Sequence, residues 1–346
     1  MSRLQLSLLR GVLILPACNS AKPTGAAGPR PKVAFVSNNA FDFWTYAQAG
    51  CTTAAAENGV ECVFKKPDPG DAAVQKQIID DLVNQGVKAI AVSVIDPANQ
   101  TGDLNAVAAK VPLLTVDNDA PTSKRLCYIG TNNYAAGREV GKLVKEAMPG
   151  GGTVCVFVGQ MEALNARQRR QGMLDELADQ KAPADINAVE PTKDGQDYGK
   201  YKLFKTFTDQ ATPNKAEDNA ADALIQLAAE KNVCMVGLWA YNPPAIVNAA
   251  EKQKKLGQVK IVGFDEDDKT LQGVAAGHIY ATVVQDPYHF GAEAVKVMAT
   301  LAKGEKFTGD PIHYVPHRIV TKDGGPGKVA VAKFREELFG YKRSAR

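Results

Sequence analysis

The sequence lacks the residue patterns on which metal, redox and acyl-transfer chemistry usually depend. Its six cysteines include no Cys-x-x-Cys spacing, its four histidines form no metal-ligand pattern, and no Gly-x-Ser-x-Gly segment occurs. Zinc binding, dithiol chemistry and a serine nucleophile therefore have no support. We predict that the chain is not an enzyme and uses no cofactor or metal.

An excess of charge of one sign is also lacking. The chain has 41 Lys and Arg residues against 38 Asp and Glu, a net charge of +3, and no run of five like charges. This balance gives a nucleic-acid partner no electrostatic support. Hydrophobic residues make up 45% of the sequence and charged residues 23%, as is typical of a globular protein. A small neutral ligand remains open.

No apolar segment approaches the ~20 residues that a helix needs to cross a bilayer. Residues 1–18 instead combine Arg3 and Arg10 with a short apolar run and small residues before Cys18, which is the pattern of an export signal. The end of this segment, Leu-Pro-Ala-Cys, resembles the bacterial lipobox, whose cysteine is acylated and becomes the new N-terminus. An ordinary cleaved signal is the alternative. We expect a periplasmic or cell-surface protein that touches the membrane only through lipid on Cys18.

The segment after the signal, residues 19–31, is rich in Pro, Gly and Ala. Such a composition cannot bury enough apolar surface to fold, so we predict a flexible tether.

Loss of the signal removes Arg3 and Arg10 and lowers the net charge from +3 to +1. Five cysteines then remain, and most are expected to be buried thiols. Cys51 and Cys62 could instead form one disulfide.

The length of 346 residues predicts two domains, because single cores stop growing at about 250–300 residues. Short Val- and Ile-rich runs alternate with helical patterns from residue 32 to residue 284, and this rhythm restarts after residue 131. Apolar strands that alternate with helices indicate parallel sheets covered on both faces. The predicted fold class is therefore α/β, with two doubly wound, Rossmann-like lobes. The polar segment 183–200 and the tail after residue 322 do not fit the rhythm, and the sequence does not reveal their roles.

Polar and aromatic side chains recur just beyond the predicted strands, where open α/β sheets bind their ligands. These residues are Asn39, Phe43, Trp44, Ser93, Asp117, Asn118, Trp239, Tyr241, Asp265 and Gln285. Carboxylates and amides can bind the vicinal hydroxyls of a sugar, and aromatic rings can pack on its C–H face. Any one of the polar residues could instead be a helix cap or a turn former. Caps do not account for the aromatic residues.

The chain resembles the ribose-binding type of periplasmic sugar-binding protein over residues 32–320. The resemblance depends on the order and spacing of segments 33–39, 128–133, 166–169, 262–265 and 281–285. It implies a periplasmic-binding-protein type I fold whose two lobes are joined by a three-segment hinge. The hinge would lie near residues 131, 285 and 313–320. The resemblance further implies a monomer that closes on a monosaccharide and presents it to the permease of an ABC importer.

The resemblance also assigns roles to residues in the cleft. Phe43 and Trp44 would enclose one sugar face, and Asp117 and Arg169 would bind hydroxyls from the two lobes. The remaining ligand-binding positions would be Asn39, Ser93, Asn118, Thr131, Trp239, Tyr241, Asp265 and Gln285. The first lobe would comprise residues 32–131 and 286–313, the second residues 132–285 and 314–322, and residues 323–346 would form a C-terminal extension.

Three departures from the family pattern leave the identity of the sugar open. Asn118 stands where an arginine is usual, Tyr241 stands near an expected asparagine, and Asp209 or Gln210 replaces a second-lobe aromatic residue. Two other functions also remain open, namely a sugar sensor for a membrane kinase or chemoreceptor and a binder of a furanosyl signalling molecule. Sugar-responsive repressors share the fold, but the first strand begins too early for their DNA-binding domain.

Overall fold

The computed structural model describes residues 29–188 and 193–344. The predicted signal, the lipidation site Cys18 and most of the predicted tether lie outside the described residues. The strands are β1 (Lys32–Val36), β2 (Glu61–Lys65), β3 (Ile90–Val92), β4 (Leu113–Val116), β5 (Tyr128–Gly130), β6 (Gly152–Val158), β7 (Asp197–Tyr198), β8 (Tyr201–Thr208), β9 (Val233–Gly237), β10 (Lys260–Phe264), β11 (Ala281–Val284), β12 (Ile312–Tyr314), β13 (Arg318–Thr321) and β14 (Lys328–Ala330). The helices are α1 (Phe43–Asn58), α2 (Ala72–Asn84), α3 (Pro97–Ala108), α4 (Asn133–Ala147), α5 (Leu164–Leu177), α6 (Pro213–Gln226), α7 (Asn242–Lys252), α8 (Asp268–Ala276), α9 (Pro287–Ala302) and α10 (Val331–Ser344).

The first sheet has the strand order β12-β5-β4-β3-β1-β2, and all of its pairs are parallel. The chain starts at β1, moves outwards to β2, and then crosses back to β3 on the other side. This reversal places a topological switch point between β1 and β3, where side chains beyond the strand ends can line a crevice. The four core strands β1, β3, β4 and β5 are buried almost throughout, as expected for a sheet covered on both faces.

The second sheet has the order β14-β13-β11-β10-β9-β6-β8-β7. Its central strands are parallel and repeat the winding of the first sheet, with the switch point between β6 and β9. β7 and β13 add antiparallel pairs at the two sides. Two doubly wound α/β lobes are therefore present, and the predicted fold class is confirmed.

Three connections carry the chain between the two sheets: β5 to α4, β11 to α9 and β12 to β13. Tyr314 was predicted to lie in the second lobe, but it lies on β12 and pairs with Gly130 in the first sheet. The predicted extension 323–346 contributes β14, which pairs with β13, and α10, which buries Phe334 and Leu338 in a second-lobe core. The tail is thus built into the second sheet. Its short strand and helix carry no family motif, so this placement was not predictable from the sequence.

Helix starts show which of the polar residues after strands are caps. Asp96 accepts a hydrogen bond from the Asn99 amide at the start of α3, Asn132 from the Ala135 amide at the start of α4, and Asp286 from the His289 amide at the start of α9. These side chains satisfy amides that the first turn leaves without intrahelical partners. Capping therefore explains several strand-end residues that are not in the predicted binding set.

Helices α4 and α5 pack closely because glycines face the opposite backbone. A Cβ atom on Gly137 would lie 2.2 Å from the Arg169 carbonyl oxygen, and one on Gly172 would lie 2.1 Å from the Tyr134 carbonyl oxygen. Any larger residue must push the helices apart. The close approach therefore involves the backbone of Arg169 itself, on α5.

We therefore expect Gly137→Ala to lower the free energy of unfolding by about 1–3 kcal/mol, because the added methyl overpacks the helix pair. Gly102 lies on α3 with nothing within 4 Å of a Cβ position. We expect the matched change Gly102→Ala to be neutral or to stabilise by up to about 1 kcal/mol through helix propensity. Urea unfolding of both variants checks this, and equal losses would contradict the role of the close helix approach.

Candidate functional site

Two aspartates occupy matching positions in the two lobes, directly after β4 and β10. Asp117 has φ 61° and Asp265 has φ 66°, a left-handed conformation that residues other than glycine seldom adopt. Each amide donates to a neighbouring strand, from Asp117 to the Ile129 carbonyl at 3.0 Å and from Asp265 to the Val283 carbonyl at 2.7 Å. Backbone strain of this kind is found at functional sites more often than elsewhere. The two carboxylates are also buried, at 3% and 4% exposed.

Gln285, at the β11–α9 connection, links the two aspartates. Its Nε2 atom donates to Asp265 Oδ1 at 2.9 Å, and its side chain also acts to lower the pKa of Asp117. Ser93 donates to Asp117 Oδ2 at 3.0 Å. Burial raises the pKa of both carboxyl groups, and the nearby Arg169 guanidinium partly offsets this. The two carboxylates and one cation therefore lie together where the two lobes meet.

Arg169 lies on α5 and is only 1% exposed. Its Nε atom donates to Asn133 Oδ1 at 2.8 Å, and its Nη1 atom donates to the Leu238 carbonyl at 2.9 Å. The guanidinium carbon lies 3.9 Å from the centre of the Phe264 ring, a cation–π contact. The Nη2 atom is buried without a hydrogen-bond partner. The side chain is thus held on three sides and keeps one nitrogen for a ligand.

The first-lobe wall is aromatic. Trp44 is buried, and its Nε1 atom donates to Asn38 Oδ1 at 3.1 Å. Phe43 packs edge-on against it with ring centres 5.1 Å apart. Asn39 donates to the same Asn38 oxygen at 2.8 Å and accepts from the Phe41 amide at 3.0 Å. These bonds fix the loop after β1 so that its rings face the cleft.

The second-lobe wall is held by Asp209, which follows β8. The Tyr241 hydroxyl and the Asn242 amide group both donate to the Asp209 carboxylate. Burial raises the pKa of Asp209 to about 6. The Tyr241 ring in turn lies 4.9 Å from the Phe41 ring of the first lobe. Asp209, which replaces an expected aromatic residue, therefore positions an aromatic residue from elsewhere in the chain.

Residues from both lobes surround an inner cavity of about 40 Å³. Nine of the twelve residues predicted from the sequence line it, namely Asn39, Phe43, Trp44, Asp117, Arg169, Trp239, Tyr241, Asp265 and Gln285. A larger outer cavity of about 460 Å³ shares Phe41, Phe43, Ala240 and Tyr241 with it. The inner cavity is the candidate ligand site, because Asp117, Asp265 and Arg169 all line it.

The other three predicted residues, Ser93, Asn118 and Thr131, are not part of this lining. Ser93 supports Asp117, as described above. Asn118 donates to the Val94 carbonyl and accepts from the Asn165 amide, so both ends of its side chain contact protein. Thr131 lies at the β5–α4 connection, and its carbonyl accepts from the Tyr128 hydroxyl. The structure thus gives Ser93 and Asn118 supporting contacts where direct ligand contacts were predicted.

The lining also contains residues that were not in the predicted set: Asn38, Phe41, Asn165 and Ala240. Asn38 and Phe41 belong to the strand-end segment that drew attention to Asn39 and Phe43. Asn165 stands one residue before the 166–169 motif. Its place next to that motif was the one sequence feature that could have indicated Asn165. That its side chain reaches the cavity follows from the geometry of α5.

Four polar atoms of the lining are buried without a hydrogen-bond partner among the described residues. They are Arg169 Nη2, Trp239 Nε1, Asn165 Oδ1 and Gln285 Oε1. Buried polar groups are rarely left unpaired, because each costs free energy. Two of these atoms are donors and two are acceptors. A hydroxyl group can satisfy either kind, so the cavity suits a ligand that carries several hydroxyls.

Two further searches bear on function. Across residues 29–188 and 193–344, no group of three or more His, Cys, Asp or Glu side chains is arranged to hold a metal ion. In the same residues no helix is both long enough and apolar enough to span a membrane.

Comparisons with known proteins agree with this geometry. Residues 33–306 match the family model described as periplasmic binding protein domain. The chain is 24% identical over 312 residues to the xylitol-binding protein of Mycolicibacterium smegmatis, covering 89% of this chain and 82% of that one. It is 26% identical over 277 residues to the D-allose-binding periplasmic protein of Escherichia coli, covering 76% and 82%.

A solved structure gives a similar result. The chain superposes with a TM-score of 0.75 on an ABC transporter solute-binding protein from Burkholderia graminis in complex with D-arabinose. Identity is 26%, and the alignment covers 86% of this chain and 97% of that one. The similarity therefore spans both lobes rather than one of them.

Proposed function

The chain belongs to the periplasmic binding protein family, and from this we propose that it captures a monosaccharide or a related polyol between its lobes for an ABC importer. It is a binding protein rather than an enzyme. The ligand class we propose is a pentose, a hexose or a sugar alcohol. Relatives at 24% and 26% identity carry names for a sugar alcohol and an aldohexose, and a third was solved with a pentose.

One observation supports the proposal most strongly: Asp117 from the first lobe and Arg169 and Asp265 from the second converge on one cavity with unpaired donors and acceptors. Carboxylates can each accept from two neighbouring hydroxyls, and the guanidinium can donate to several ligand oxygens. Phe43 and Trp44 offer apolar faces for the C–H side of a ring. A neutral polyol meets all of these demands at once.

Closure explains how such a ligand would be held. The inner cavity is lined by residues of both lobes, so a sugar ring can enter it only when the lobes are apart. Contacts from both lobes to one ring exist only in the closed state. The ligand therefore favours closure through its differential affinity for that state. The three connections between the sheets supply the hinge.

A thermal-shift panel tests the ligand class. We expect at least one of D-ribose, D-allose, D-arabinose, D-xylose or xylitol to raise Tm, because a ligand at ~1,000 times its Kd adds about 4 kcal/mol to native stability. Glycine and sucrose serve as controls of the wrong chemistry and the wrong size. Stabilisation by glycine with no response to any sugar or polyol would refute the proposal.

Cell-based measurements test location and delivery. We propose that Cys18 carries the lipid anchor, so labelling with a radioactive fatty acid should be lost in Cys18→Ala, and the protein should then be released from membranes.

Deletion of the gene should abolish uptake of the sugar identified in the panel. Retained uptake together with a lost transcriptional response would instead indicate a sensor.

A further inference from the structure

Helix α5 has no side-chain cap of its own. Its N-cap residue is Ala163, whose backbone is extended with φ −67° and ψ 131° and whose side chain cannot accept a hydrogen bond. The amides of the first turn therefore need acceptors from elsewhere. Because Ala163 and Asn165 are both buried, bulk water does not readily provide acceptors for these amides.

Asn118 provides one such acceptor from the opposite lobe. The amide of Asn165, in the first turn of α5, donates to Asn118 Oδ1 at 2.9 Å. Asn118 itself is 0% exposed and is fixed to Val94 by two bonds, one from its side chain to the Val94 carbonyl and one from the Val94 amide to its own carbonyl. Asn118 follows β4 in the first sheet, whereas α5 follows β6 in the second. The hydrogen bond thus spans the cleft.

We propose that Asn118 is a closure latch, a positioning residue that caps helix α5 of the opposite lobe in the closed state and stabilises that state before any ligand binds. Opening the lobes separates Asn118 from α5 and leaves the Asn165 amide without this acceptor. Asn165 also lines the inner cavity, so the latch places a lining residue as it closes. The inference deepens the proposed function and rests on it for the meaning of closure, but the contact itself is independent of any sugar.

The size of the effect follows from ordinary helix capping. A cap removed by substitution with alanine changes an equilibrium about 2- to 30-fold. We expect Asn118→Ala to lower the closed-to-open ratio of the sugar-free protein by this factor. The apparent affinity for any ligand that binds the closed form would fall in proportion to the closed fraction.

Hydrogen exchange and small-angle X-ray scattering of the sugar-free protein test the latch. In Asn118→Ala, amides in segment 163–168 should exchange about 2- to 30-fold faster, and the radius of gyration should increase. Urea unfolding is measured in parallel, so that a general loss of stability is not mistaken for opening. Unchanged exchange and an unchanged radius would overturn the proposal.

Ala163→Ser separates capping from other effects of Asn118. Serine at the N-cap gives α5 its own acceptor in both states, which removes the advantage of closure. In the Ala163→Ser background, Asn118→Ala should therefore no longer accelerate exchange in segment 163–168. Acceleration equal to that in the parent would show that Asn118 does not act as a cap and would overturn the latch. Neither result depends on the ligand, so a failed sugar panel and a failed latch are distinguishable.

Discussion

Replacement of Arg169 by methionine is expected to abolish detectable sugar binding while the protein remains folded. The guanidinium keeps Nη2 for the ligand and is the cation that acts on both Asp117 and Asp265. Hydrogen bonds to charged groups are worth about 1.5–3 kcal/mol each, so the loss of two ligand bonds lowers affinity about 10²- to 10⁴-fold. Methionine fills much of the same volume. Isothermal titration calorimetry with the best sugar of the panel measures the loss.

Arg170 offers a matched control on the same helix. It is also buried, but it donates to Thr206 and Asp194 and is not part of the lining of the inner cavity. Arg170→Met should lower stability yet leave sugar affinity within a few-fold of the parent. Arg169→Lys keeps the charge but loses the planar fork, and it should recover only part of the binding. Full affinity in Arg169→Met would refute the site.

The fold was predictable because strand and helix patterns in α/β proteins are local. The core strands are apolar runs of three to seven residues, and Asp117 and Asp265 follow two of them directly. Their position in the sequence therefore fixes their position at the sheet edge. The antiparallel strand β13 and the strand β14 were not predicted, because short half-exposed strands carry little periodic signal.

The roles of several site residues were not predictable, because they depend on contacts between distant segments. Asp209 and Tyr241 are 32 residues apart and meet only through the sheet. Asn118 was expected to contact the ligand, since it follows Asp117, yet its side chain turns to Val94 and Asn165. Residue type and spacing indicate which side chains reach the cleft. Tertiary packing decides which of them contact the ligand and which support a neighbour.

Replacement of Asp265 by asparagine is expected to stabilise the sugar-free protein and to abolish binding. Burial raises the pKa of the Asp265 carboxyl, even though Arg169 and Gln285 act in the opposite direction. A carboxyl whose pKa is raised on folding makes the folded state less stable once pH exceeds the unfolded pKa near ~3.9. Asparagine removes that cost, tolerates the left-handed φ of 66° and keeps an oxygen for Gln285. We expect a gain of about 1–2 kcal/mol at pH 8.

The dependence on pH distinguishes this explanation from simple repacking. At pH 4 the carboxyl is protonated in the folded protein and about half protonated in the unfolded chain, whose pKa is near ~3.9, so the gain should be only a small part of its value at pH 8. It should then grow as pH rises towards 8. Urea unfolding of the parent and Asp265→Asn across this range measures the difference. Asp71→Asn is a suitable control, because Asp71 is an exposed cap of α2 and asparagine caps about equally well.

Binding by Asp265→Asn should change in the opposite direction. The carboxylate accepts from ligand hydroxyls, and the amide of asparagine presents one oxygen and two donors instead. Two charge-assisted bonds at about 1.5–3 kcal/mol each correspond to a loss of 10² or more in affinity. If the variant is more stable at pH 8 but shows no sugar binding in calorimetry, the buried charge of Asp265 lowers stability and serves to bind the ligand. Lower stability at pH 8, or retained affinity, would contradict that conclusion.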